Sequence, residues 1–413
     1  MSMNSNSSAT ITECPSPCET EPKTPPPPFA HLITIEPLGL LYGSAGRFLS
    51  PENLVGRSGS SFPPSAATLS GIFAADAKLE GKDITDLQLA GPFWGKCDEL
   101  PDFYVSTPLN YLIEKGTSKI KYKLSWDAVE KQWISWDAVK RQWTPNVNEK
   151  FEKGGWVKVH DWQKEDWEIS TKVPWKTVSH LHPRLEENQR RVLVEEKREQ
   201  GSLFLENGVQ LDPDYCLVYL SNTEIKPGWY RFGGEGHLVN IECQPISGEL
   251  KHLLSKPVGK AFALITPAVW GSNRHSYREP MVQKKEDRKS DGFEAWECDT
   301  WLTERPFPFR YRLANRKDEE TNEKVNSKEK LLSRGRYAVP AGSVYVLKEP
   351  LESWQEKEPL PSWQEWDETW FPKEGVSFKR WGCGLALPLP SAIAQNSEQE
   401  TANISENLPI GGN

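Results

Sequence analysis

Glu36-Pro-Leu-Gly-Leu-Leu-Tyr-Gly-Ser-Ala-Gly-Arg-Phe48, followed by Phe62-Pro-Pro-Ser-Ala-Ala-Thr-Leu-Ser-Gly-Ile-Phe-Ala-Ala75, is the stretch around which the chain is organised. An apolar strand runs into a glycine-rich loop that carries Arg47 and Arg57. Pro63 and Pro64 stop any earlier helix, and Ser65 is placed to cap a new one by accepting from its first free amides. Ala66, Ala67, Ser70, Gly71, Ala74 and Ala75 leave that helix little bulk, so it can lie close against a sheet. The free N–H groups at its start, with Arg47 and Arg57 beside them, suit an anion such as phosphate.

Working outward, residues 31–37 read as the first strand, with Ile33 and Ile35 on one face. The helix is expected at about 65–77. Short strands follow at 87–93, ending in Gly91-Pro92, and at 103–106. A β–α–β opening of this kind fits a ferredoxin-like half. Ser125-Trp-Asp-Ala-Val-Glu-Lys-Gln-Trp133 recurs as Ser135-Trp-Asp-Ala-Val-Lys-Arg-Gln-Trp143, a local duplication with too few copies for a solenoid. Trp156, Trp162, Trp167 and Trp175 continue the aromatic spacing. Either indoles interleaved with lysine stack bases, or tryptophan builds a small core where aliphatics are scarce, which is the reading preferred here. Ser353-Trp-Gln-Glu356 and Ser362-Trp-Gln-Glu365 repeat the habit in an acidic setting that repels RNA. Residues 176–210 carry His180, His182, Arg184, Arg190 and Arg191 and read as helix or as a β-ribbon with a long tip. Strands are expected at 215–220, 237–243, 260–269 and within 331–347, where Pro340-Ala-Gly342 makes a break.

Four islands in order carry a family resemblance. They are the opening stretch, Trp229-Tyr-Arg-Phe-Gly-Gly-Glu-Gly-His237, Ala338-Val-Pro-Ala-Gly-Ser-Val-Tyr345 and Gly382-Cys-Gly-Leu-Ala-Leu-Pro388. Together they resemble a CRISPR-associated RAMP protein of the Cas-five-like group. Within that group they are most similar to the third Cmr subunit of type III-B effector complexes. The resemblance implies an α+β fold of two ferredoxin-like (RRM-like) halves with large insertions and disordered tails. Its divisions are a tail at 1–29, an N-terminal domain at 30–212, a C-terminal domain at 213–390 and a tail at 391–413. The first domain holds a Trp-rich insert at about 119–175 and a thumb-like region at 176–200. The second holds charged loops at 281–292 and 315–330.

Composition sets outer bounds. At 413 residues two domains are the prior, and 37% hydrophobic content with 33 prolines implies sizeable unstructured parts. No apolar run is long enough to span a membrane, and the N-terminus carries no apolar signal segment. Seven scattered cysteines, an odd number, favour a reducing cytoplasm over a disulfide framework. Cys14 and Cys18 lack the second pair of a zinc site. The net charge of −8 argues superficially against nucleic acid, yet 1–29, 351–375 and 391–413 carry −2, −5 and −3, leaving +2 for the rest. A near-neutral body permits a basic groove.

The chemistry is sparse. His180-x-His182 has no third ligand nearby, and no phosphate-cradling or nucleophile-elbow motif occurs. RNA binding without chemistry needs glycines that let phosphate approach the backbone, a few cations and aromatic faces. Gly43, Gly46, Arg47 and Arg57 supply the first two after strand one, and Lys379, Arg380, Gly382 and Gly384 near the end. For Gly382 and Gly384 a tight turn is the competing reading. Arg231 and His237 are secondary RNA candidates, and Arg274 and Arg278 flank a loop that also holds Trp270 and Tyr277. The resemblance implies a non-catalytic subunit that needs no cofactor or metal. It would hold the repeat-derived 5′ tag of a guide RNA and dock onto a large Cas-ten-type subunit beside backbone RAMP subunits. Two alternatives stay open. One is a metal-independent RAMP endoribonuclease that cuts the CRISPR precursor with a histidine as general acid/base, although no histidine lies between His31 and His160. The other is a purely structural scaffold.

Overall fold

The computed structural model describes residues 29–41, 62–140, 142–144, 149–164, 166–183, 191, 203–234, 236–271, 275–282, 293–311, 333–351 and 362–390. The expected tails (apart from Phe29), the loop residues 43–57, most of the charged loops and most of the thumb tip lie outside these residues.

β1 (His31–Pro37) is the expected first strand, buried from Leu32 to Ile35. α1 (Ala66–Glu80) follows, ending where Gly81 takes the left-handed conformation and closes the helix. Ser65 stands at its N-cap with extended backbone, but its hydroxyl makes no capping bond, so that expectation is corrected; its carbonyl accepts from Thr68 N instead. β2 (Leu89–Lys96) runs through Gly91-Pro92 rather than ending there, with a bulge opposite Val218 and Leu220 absorbing the irregularity. β3 is Tyr104–Ser106. The duplicated segment folds as consecutive hairpins, β4 (Tyr111–Ile113), β5 (Ile120–Asp127), β6 (Gln132–Asp137) and β7 (Gln142–Thr144), in one four-stranded sheet. The repeated aspartates explain the duplication: Asp127 Oδ1 accepts from Val129 and Glu130 N, and Asp137 Oδ1 from Val139 and Lys140 N, so each copy closes its own turn. Then come β8 (Trp156–Lys158), β9 (Ile169–Ser170), β10 (Trp175–Pro183), β11 (Leu203–Leu211), β12 (Tyr215–Ser221), β13 (Gly228–Phe232) and β14 (His237–Pro245).

The first sheet is antiparallel in the order β13-β14-β1-β12-β2-β3-β8-β9. This corrects the boundary expected at 212/213, because β12 and β14 flank β1 and complete its sheet. The alternation of each strand sends its two sets of side chains to different cores. Ile33, Ile35, Leu217, Tyr219, Val239 and Ile241 pack with Leu69, Ile72 and Phe73 of α1. Leu32, Phe93, Val105, Val218 and Leu220 join the second unit in one larger core.

That unit begins with α2 (Gly248–Leu254) and β15 (Ala261–Leu264). The β16 (Met281–Val282)–β17 (Phe293–Glu294) pair, β18 (Cys298–Leu302), the β19 (Phe307–Phe309)–β20 (Arg336–Ala338) pair and β21 (Val344–Leu347) follow. β22 (Lys373–Glu374), β23 (Val376–Ser377) and β24 (Ala386–Pro388) complete it. Its sheet has the order β18-β21-β15-β24, again antiparallel. Trp363, Trp366 and Trp370 of the acidic segment are buried in the shared core, where Trp363 stacks on Phe29 at 5.9 Å. The fold is therefore α+β and mostly sheet.

Tryptophan also anchors the insert. Trp126 Nε1 donates to Asp299 Oδ2 at 2.5 Å, and Lys131 Nζ lies 2.8 Å from Oδ1. Burial opposes ionisation of Asp299, yet the bonds from Lys131 and Trp126 hold its carboxyl below the usual range. Asp299→Ala strands the indole N–H and is expected to cost about 1–2 kcal/mol. Hydrogen exchange at 120–137 should accelerate, and unchanged exchange there would show that the insert is held elsewhere.

Candidate nucleic-acid interface

β10 and β11 pair along their whole length, from Trp175 opposite Leu211 to Pro183 opposite Leu203. Of the two forms expected for 176–210, the β-ribbon is the one adopted. His180 and His182 stand opposite Glu206 and Phe204 in the ribbon's register. Among the described residues no group of three or more His, Cys, Asp or Glu is gathered for a metal.

The glycine-rich loop leaves and returns at the foot of this ribbon. At its start Leu41 N donates to Val209 O at 2.9 Å, and Val209 N to Leu41 O at 2.7 Å. At its end Phe62 meets Trp175 edge to face at 5.0 Å, and Pro64 O accepts from Tyr219 Oη at 2.6 Å. Both ends are thus fixed to the residues that open β10 and close β11. Gly43, Gly46, Arg47 and Arg57 belong to the intervening segment, outside the described residues, and Arg274, far along the chain, lies outside them too.

The other candidates separate. Gly233-Gly234 and Gly236 form the turn between β13 and β14, and Gly233 lies near Thr68 in the first turn of α1. Arg231 is exposed and shares a face with exposed Trp229. His237 stands opposite Phe232 and therefore belongs to the other face of the hairpin. Arg278 is exposed in the second unit, where its carbonyl accepts from Tyr345 Oη at 2.5 Å.

Near the C-terminus the structure overturns the expected cationic loop. Lys379 is 2% exposed; its ammonium donates to Gln364 O at 2.6 Å and to Trp366 O, over the Trp363 ring. A cation held this way cannot meet a phosphate. Burial pushes its pKa down to about 8. Arg380 Nε lies 3.3 Å from Glu368 and Nη2 3.8 Å from Asp86, so acids already face it. Gly382 and Gly384 are both buried and both left-handed, and Gly382 abuts Leu89 and Ala90 of β2. These glycines serve close packing, as the tight-turn reading has it.

The far part of the first sheet joins Trp156, singled out in the sequence, to residues that were not. Trp94, Tyr104 and Lys158 are directly opposed across β2, β3 and β8, as are Ser106, Trp156 and Ser170 across β3, β8 and β9. Lys96 pairs with Tyr215 on the same face. The signal was present as Trp94-x-Lys96 and Trp156-x-Lys158, period two in strands too short to stand out.

Among the described residues no helix is long and apolar enough to cross a membrane. No curated protein matches the chain. Among solved structures it is similar to a chain of the type III-B Cmr-beta complex bound to cognate target RNA, at 11% identity and a TM-score of 0.39, covering 76% of this chain and 86% of that one. The same complex with AMPPnP gives 9% identity, a TM-score of 0.39 and the same coverage. A chain of the Csm3–Csm4 subcomplex of the type III-A interference complex gives 12% identity and a TM-score of 0.30, covering 77% and 93%. The family model for the CRISPR-associated protein Cas_Cmr3 matches residues 34–390, and with nearly the whole chain inside that match, the protein belongs to the Cas_Cmr3 family.

Proposed function

We propose that this chain is a non-catalytic guide-RNA-binding subunit of a type III-B CRISPR effector complex. In this reading it holds the 5′ repeat-derived tag in the cytoplasm and docks onto a large Cas-ten-type subunit beside backbone RAMP subunits. Membership of the Cas_Cmr3 family over residues 34–390 is the observation that carries the reading. The geometry adds a reason for the tag-binding role. A loop rich in glycine and bearing two arginines is tethered at both ends to the foot of a nine-residue ribbon, which suits backbone contact with a phosphate chain. Base pairing of the guide would read the target, while the protein reads backbone and tag.

Each sheet arranges its four principal strands in the chain order fourth, first, third, second: β14-β1-β12-β2 and β24-β15-β21-β18. This supports two ferredoxin-like halves, the first with its second crossover made by β13 in place of a helix, and the second with no α-helix in either crossover among the described residues. The non-catalytic assignment draws on His31. It begins β1, whereas the glycine-rich loop follows its other end, about 20 Å along a strand of this length.

The test is a labelled CRISPR-repeat RNA incubated without metal with the chain and its large partner, run on native and denaturing gels. An intact RNA that shifts, and loses the shift when the tag is scrambled or Arg47→Ala is introduced, is the expected result. A shorter product on the denaturing gel would make the chain a processing nuclease. No shift and no cleavage would reduce it to a scaffold.

A further inference from the structure

The two faces of β2, β3, β8 and β9 differ in kind. One face carries Phe93, Phe103, Val105, Val157 and Ile169, all within the closed core. The other carries aromatic rings and lysines and no aliphatic side chain across Trp94, Lys96, Tyr104, Ser106, Trp156, Lys158 and Ser170. Tyr104 stacks on Trp94 at 4.0 Å with planes 12° apart, and Trp156, Trp175 and Tyr215 surround Trp94 at 6.2, 6.4 and 5.7 Å. Trp94 is sealed beneath them, 3% exposed, and its Nε1 has no hydrogen-bond partner among the described residues. Tyr104, Trp156, Trp175 and Tyr215 are only half-buried. Lys96 and Lys158 both lie against Glu99, at 2.8 and 2.9 Å, and Asp102 is near enough to Lys158 to favour its charge, so acids hold both ammonium groups beside the rings. Trp175 also touches Phe62, which puts the patch beside the returning end of the glycine-rich loop.

We propose that this half-open face, centred on Tyr104 and Trp156 and flanked by Lys96 and Lys158, is a stacking platform for unpaired bases of single-stranded RNA leaving the loop. The proposal rests on the RNA-binding reading above and gives that site its base-contacting part. Flat rings stack on any base, and the ammonium groups meet the phosphates on either side. Aromatic rings alone serve protein and RNA partners equally, and it is the flanking lysines, a residue type depleted from protein interfaces, that favour RNA. Glu99 then acts as a brake, because it occupies both lysines until phosphate competes for them.

The experiment is equilibrium binding of the tag RNA to the chain with its large partner, titrated over several salt concentrations. Tyr104→Ala combined with Trp156→Ala is expected to weaken binding about 10- to 100-fold. Tyr104→Phe with Trp156→Phe keeps the rings and should stay within about two-fold. Glu99→Gln frees a lysine; it is expected to tighten binding at low salt and steepen the log–log salt slope by about 0.7. Melting temperatures of the variants separate loss of fold from loss of contact. If the alanine pair folds, retains RNA with unchanged affinity and instead releases the large subunit, the face docks protein and the proposal fails while the RNA-binding reading stands. If the unaltered protein binds no RNA, both fail. Glu99→Gln with an unchanged slope overturns the charge part, and with it the platform as drawn.

Discussion

Gly382→Ala is expected to destabilise the chain by about 3 kcal/mol, combining backbone strain with overpacking. Gly382 has φ +70°, and a Cβ built on it would lie 2.5 Å from both Cα and Cβ of Ala90 and 2.9 Å from Leu89 O. Ala90 belongs to a central strand whose backbone is fixed by β12 on one side, so neither partner can retreat without breaking sheet hydrogen bonds. The turn cannot retreat either, since Thr266 Oγ1 donates to Gly382 O and accepts from Leu385 N. Gly81→Ala is the control for conformation alone. It has φ +68° with no atom within 4 Å of the added carbon, and about 1 kcal/mol is expected there. Denaturant unfolding of both variants checks the comparison. Equal losses would mean that the turn does not press on β2 in solution.

The second large effect is pH-dependent and belongs to Lys379. Burial lowers its pKa to about 8, well under the ordinary lysine value of 10.5, so between those values the unfolded chain binds the proton more often than the folded one. Stability therefore rises with pH across that window. Below pH 8 both states are protonated and the cost of burying the ammonium is fully present. Relative to Lys379→Met, which has nothing to titrate, the unaltered chain is expected to gain up to about 3 kcal/mol between pH 8 and 10.5. Lys379→Met leaves Gln364 O and Trp366 O without their donor, which itself costs about 1–3 kcal/mol per carbonyl at pH 7. Unfolding curves of both proteins over this range provide the measurement. The salt slope of RNA binding should not change in the variant. A parallel pH dependence in the two proteins, with a slope reduced by about 0.7, would return Lys379 to the surface as a phosphate contact.

Much of the first half was legible because its signals are local. The period-two run at 31–37 and Pro63-Pro64 before a small-residue stretch dictate a strand and a helix without distant help, whereas the hairpins of the duplicated Ser-Trp-Asp unit were not read from its sequence. The ordered islands likewise pointed to the family that the chain proves to belong to. What failed was partnership. β1 pairs with β12 and β14, which arrive only after the insert and the ribbon, and nothing in either segment's own pattern says which edge it will join. A domain boundary drawn from chain order therefore cut through one sheet.

Lys379 and Gly382 show the same limit at the level of single residues. Lys-Arg-Trp-Gly-Cys-Gly has the composition of a phosphate-binding loop, and composition is all that a local reading weighs. Exposure is decided by what the rest of the chain lays over a residue: here the Trp363 ring and two carbonyls enclose the ammonium, and β2 lies against the glycine. The aromatic face of β2, β3 and β8 is the converse case, assembled from residues that are unremarkable in their own short strands. By itself the sequence determined the opening strand and helix, the strands at 215–220 and 237–243, and the family, because these depend on periodicity, helix start signals and motif order. Only the tertiary structure decided which strands share a sheet, which cations reach solvent and which rings lie side by side, because those are outcomes of long-range packing that no local window contains.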